Sequence, residues 1–111
     1  MKWKSFENKL PTDGERILML TTGCGVPVVE GFFIKRESVE NYYNSGLISD
    51  SMKQQIKEHE IGIEIAITYG HPTSGDVYYI IIPIYMCYEE FFYTISQCIN
   101  NNFKWIPFPE E

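Results

Sequence analysis

The sequence predicts an α+β domain: an antiparallel sheet of four to five strands, with one main amphipathic helix packed on a face and one or two short helices beside it. Three stretches carry this expectation. Ile61, Ile63, Ile65, Ile67 and Tyr69 alternate with smaller or polar residues, which as a β-strand places four isoleucines and a tyrosine on one face. Residues 77–86 are apolar at odd and even positions alike, the pattern of a strand covered on both faces. Residues 88–100 set Phe91, Phe92, Ile95, Cys98 and Ile99 at helical spacing, and this stripe is the expected cover for the second face of 77–86.

The remaining elements follow in chain order. The first ten residues mix aromatic and charged side chains, and 11–14 (Pro-Thr-Asp-Gly) supply a turn. Residues 16–22 and 26–35 read as a hairpin closed by Gly23-Cys24-Gly25, with Pro27 at a strand start or an edge. A short helix is expected over 38–44, ended by Gly46. A second covers 51–58, opened by a Ser51-x-x-Gln54 capping box, with Met52 and Ile56 one turn apart. The alternation in 61–69 and the run 77–86 then form a second hairpin, with its loop at 70–76. After the helix over 88–100, with Glu89 and Glu90 in its first turn, Asn100-Asn101-Asn102 can supply a left-handed end, and 103–108 returns as a strand stopped by Pro107 and Pro109.

At 111 residues the chain is expected to be one domain, and its 44% hydrophobic and 15% aromatic content excludes a disordered chain. Its net charge of −6 is uneven, with +1 over residues 1–57 and −7 over residues 58–111. That balance repels phosphate backbones, so no direct nucleic-acid partner is expected; it favours a basic protein partner or a solubilising surface. Cys24, Cys87 and Cys98 are odd in number and share no short spacing, which points to a reducing compartment and away from a metal or disulfide framework. The sequence shows neither a run of 18 apolar residues nor a signal-peptide core, so a cytoplasmic protein that does not enter a membrane is expected.

Trp3, Leu10-Pro11, Gly14 and Ile17-Leu18 at the start, together with Trp105-Ile106-Pro107-Phe108-Pro109 at the end, resemble the small phage and prophage proteins grouped as domain of unknown function 551. In that family a Trp before a Leu-Pro turn opens the domain and a Trp followed by Pro-x-Pro closes it. Lys104 stands where its members usually carry a His. The resemblance covers roughly residues 1–35 and 103–111; it implies a phage or mobile-element origin and assigns no activity. In physical terms, two indoles near the chain ends can pack together and hold both termini on one sheet.

No catalytic residue, metal ligand or cofactor is assigned. His71, near Thr73, Ser74 and Asp76, could serve acid-base or nucleophilic work, although residues this close in a loop commonly serve turn hydrogen bonding. His59 among Glu58, Glu60 and Glu64 could imitate a metal site, but a charged helix terminus is the commoner arrangement. Cys24 reads as an ordinary exposed thiol. Tyr42-Tyr43 forms either a contact patch or part of the core. Two hypotheses follow. In the first the chain is not an enzyme but binds and modulates a host protein, as an anti-defence inhibitor would, using Tyr42, Tyr43, Glu58, Glu60, Glu64, His71 and Asp76. In the second it is a small-molecule or nucleotide-binding domain, or a minor enzyme, with its site at the His71 loop. Both monomer and homodimer remain open.

Overall fold

The computed structural model of the chain describes residues 2–21, 28–71, 78–83 and 90–109. Six strands form one sheet within them: β1 (Lys4–Ser5), β2 (Arg16–Leu20), β3 (Val28–Lys35), β4 (Tyr78–Ile82), β5 (Phe91–Thr94) and β6 (Lys104–Pro107). Their spatial order is β1-β6-β2-β3-β4-β5, and every neighbouring pair is antiparallel. Among the described residues three helices accompany the sheet: α1 (Val39–Asn44), which follows a 3-10 turn at Arg36–Ser38, then α2 (Asp50–Thr68) and α3 (Ile95–Asn100). The α+β class is as expected, with six strands instead of four to five.

β4 has the two-sided burial that its composition predicts. Ile80 and Ile82 enter one core with Ile17, Met19, Phe33 and Trp105, closed by Ile95 and Cys98 of α3. Tyr79 and Ile81 enter a second core on the opposite face with Ile34, Met52 and Ile56, closed by α2 and flanked by Val39, Tyr42 and Tyr43 of α1. The sheet is therefore a central layer with a helix cover on each side. Gly31 of β3 leaves no room for a side chain against the neighbouring strand β4: a Cβ there would lie 2.9 Å from the Ile81 carbonyl oxygen and 3.0 Å from Ile80 Cγ2. Gly31→Ala is expected to cost about 1–3 kcal/mol in chemical unfolding, because a paired backbone cannot yield as a side-chain tip can. A neutral result would show that β3 and β4 can separate locally.

Both ends of the chain meet on this sheet, as expected, although no contact between the Trp3 and Trp105 rings is found among the described residues. β6 lies between β1 and β2, with Trp105 opposite both Lys4 and Met19. The ring that Trp105 packs on is Phe6, at 6.2 Å between centroids, and its Nε1 donates to the Lys9 carbonyl at 3.0 Å.

Two assignments are corrected. Residues 61–69 are not a strand: α2 begins after the N-cap Ser49, whose side chain accepts the Met52 N–H, and runs through Thr68. The hairpin over 61–86 therefore does not exist, the helix expected over 51–58 continues ten residues further, and its cap lies two residues before Ser51. Its end explains Gly70. With φ at +77°, Gly70 sits just past the cap while its N–H bonds the Ile67 carbonyl and the His71 N–H bonds the Ala66 carbonyl. This paired arrangement stops the helix where glycine alone avoids strain. The same bonding ends α1 at Gly46 and α3 at Asn102, the two left-handed positions that the sequence places correctly.

The second correction concerns 88–100, where only Ile95–Asn100 is helical and Phe91–Thr94 is strand. Phe91 and Tyr93 turn to the α3 side and Phe92 to the α2 side. Thr94 ends the strand by capping α3, its hydroxyl accepting from Gln97 N–H while the Gln97 side chain accepts from Thr94 N–H. Six residues make too short a helix to cover the far face, and α1 and α2 cover it instead. The loop at 23–25, Pro27 and Glu89 lie outside the described residues.

Candidate interaction surface

α2 has two unlike halves. Met52 and Ile56 are fully buried on the sheet. Gln55 Nε2 donates to the Glu90 carbonyl at 3.2 Å and the Ser49 hydroxyl bonds the Glu90 side chain, so the first half is also fastened beside β5. His59 is the last deep contact, with its ring 6.0 Å from Tyr79 and 5.6 Å from Phe92 at near-perpendicular angles. It lies in mid-helix, which corrects its reading as part of a charged terminus. Its Nε2 is buried without a hydrogen-bond partner among the described residues.

Beyond Glu60 the helix leaves the sheet. Ile61 is 45% exposed, Ile65 54%, Ile67 58% and Tyr69 77%. At about 100° per residue, alternating isoleucines do not share a face in a helix. Ile63 and Ile67 continue the azimuth of Met52 and Ile56, whereas Ile61, Ile65 and Tyr69 lie about 120–160° around from it. In the first half of α2 that outer azimuth carries Ser51, Gln54 and Glu58, the polar residues that a solvent-facing side requires. In the second half it is apolar. The core cannot account for this stripe, because it faces away from the core.

The charged residues of this end of the helix itself have one sign. Residues 58–71 contain Glu58, Glu60 and Glu64 and no Lys or Arg; Lys57 is the last cation before them. Nor is there a basic side chain in the last turn of α2 to offset the negative end of the helix dipole. Glu58 and Glu64 are exposed. Glu60 is held inward: Arg36 Nε stands 3.3 Å from it and the Tyr79 hydroxyl donates to it at 3.4 Å. Burial chiefly raises the pKa of that hydroxyl, with the Arg36 hydrogen bond opposing, so Tyr79 stays a neutral donor.

The residues proposed from sequence do not converge. Tyr42 and Tyr43 are half-buried against the α2-side core, at the start of α2. The Tyr43 hydroxyl donates to Asp50 at 2.6 Å and Lys53 Nζ lies 3.9 Å from its ring centroid. Tyr42 packs edge-on to Phe32 and, with Leu47 and Arg16, lines a groove of about 370 Å³. His71 is exposed just past the other end of α2, about 30 Å away along a helix rising about 1.5 Å per residue. Asp76, Thr73 and Ser74 lie outside the described residues, and so does the rest of the loop on which the small-molecule hypothesis rests. Sequence reasoning missed Ile61, Ile65 and Tyr69 as surface residues, because it assigned their apolar character to a buried strand face.

Among the described residues no group of three His, Cys, Asp or Glu side chains could hold a metal ion, and the Cys98 thiol is buried in the α3-side core, 4.0 Å from Met19 Sδ. No helix among them is long and apolar enough to cross a membrane. Comparison of the chain with protein-family models, with curated proteins and with solved structures found no match.

Proposed function

We propose that the chain is an interaction module that binds and modulates a host protein through the outward half of α2. One observation carries this reading: the stripe of Ile61, Ile65 and Tyr69 is apolar, exposed and turned away from the chain's own core. A half-exposed isoleucine contributes about 1 kcal/mol when a partner covers it, and an amphipathic tyrosine is a favoured anchor at interfaces. The resemblance at the two chain ends to small phage proteins adds a setting, the cytoplasm of a bacterial host, in which such a module would act as an anti-defence inhibitor.

The test is affinity capture from host lysate with the full chain, alongside a variant carrying Ile61→Ser, Ile65→Ser and Tyr69→Ser. Both should show the same circular dichroism, since none of the three side chains is in the core. The expected result is a polypeptide retained by the parent chain and lost with the variant. Equal recovery by both would remove α2 as the binding surface.

A further inference from the structure

The apolar surface of the α2 end is not one face but two. Ile61, Ile65 and Tyr69 occupy the outer side, while Ile67, 58% exposed, belongs to the side that would face the sheet if the sheet extended so far. Gly62, between them, has nothing within 4 Å of where a Cβ would stand. A single flat surface laid against the helix covers one side and leaves the other wet. A groove with two walls covers both, as when a helix inserts into a cleft with anchors at successive turns.

We infer that the partner is a protein presenting an apolar groove rimmed by basic side chains, and that the end of α2 inserts into it. This rests on the reading of α2 as the docking surface and specifies what docks there. The charge argument selects the rim. Glu58 stands at the head of the outer stripe, Glu64 beside it, and the uncompensated helix C-terminus at its tip, with no Lys or Arg between Glu58 and His71. Lys and Arg on the groove edge would meet all three, and complementary charges of this kind accelerate encounter and fix register.

A second copy of this chain is the competing occupant, and the same observations disfavour it. Pairing two α2 ends sets acidic rims together on protomers that each carry −6, and it buries only one of the two apolar sides.

The test places the photocrosslinker p-benzoylphenylalanine in the full chain at Ile61 or, separately, at Ile67, and irradiates each in host lysate at low and high salt, with heparin as a polyanionic competitor and neutral dextran as its control. The expected result is the same partner polypeptide crosslinked from both positions, with yield falling at least about tenfold in high salt or heparin and unchanged in dextran. Glu58→Lys with Glu64→Lys should reproduce that loss at low salt. A partner reached from only one position would overturn the enclosing groove, and a yield indifferent to salt, heparin and charge reversal would overturn the basic rim. Crosslinks between copies of this chain would replace the inference with a homodimer. The absence of any adduct from either position would overturn the docking role of α2 itself.

Discussion

Trp105→Ala is expected to lower the unfolding free energy by about 3–5 kcal/mol, a large share of what a domain of this size has. The side chain is 1% exposed at the centre of β6 and joins three parts of the chain. Its ring packs against Phe6, Lys4 Nζ lies 5.0 Å from the ring centroid, and its Nε1 satisfies the Lys9 carbonyl. Truncation therefore opens a cavity between the sheet and the N-terminal segment and also removes a donor from a backbone acceptor. Trp105→Phe separates the two effects, because it restores much of the volume without the donor, and it should recover more than half of the loss. Urea unfolding of the three chains measures both quantities. A cost below about 1 kcal/mol for the alanine variant would mean that another contact holds residues 4–9 to the sheet.

Much of this architecture is legible in the sequence because local pattern and tertiary context agree. Ile17, Met19 and Val29, Phe33 alternate in strands buried mainly on one side, the continuous apolar run at 78–82 marks the strand buried on two, and Gly46 and Asn102 mark left-handed helix ends. The failures occur where one pattern serves two structures. An alternation such as 61–69 is diagnostic of a strand only if the residues share a buried face. In a helix the same spacing makes two opposed apolar stripes, which a monomer has no use for, so reasoning from a buried core discards that option. The aromatic run 91–93 fails for a related reason: Phe91, Phe92 and Ile95 match helical spacing, but the Thr94-x-x-Gln97 capping box sets the helix start four residues later than Phe91. Of the candidate surface, Glu58 and Glu64 were recognisable because charge alone predicts exposure. Tyr42 and Tyr43 were recognisable as a patch, yet their rings are mostly taken up by the chain's own core and by Lys53.

Ile56→Ala and Ile65→Ala, nine residues apart in one helix, should therefore behave oppositely. Ile56 is 2% exposed against Tyr79 and Ile81, and its truncation is expected to cost about 2–5 kcal/mol and to loosen the first half of α2 from the sheet. Ile65 is 54% exposed on the outer azimuth, where alanine removes little packing and is the better helix former, so its effect on stability should lie within about 0.5 kcal/mol of zero, on either side. The order should reverse in binding. Ile65→Ala leaves the helix in place and removes one anchor, which weakens partner capture without unfolding the chain, whereas any binding loss in Ile56→Ala should scale with the fraction unfolded and be restored by cooling or a stabilising osmolyte. Thermal unfolding and capture measured on the same preparations decide the matter. Should Ile65→Ala destabilise the fold as much as Ile56→Ala, the second half of α2 would be core and not surface, and the apolar stripe would need no partner to explain it.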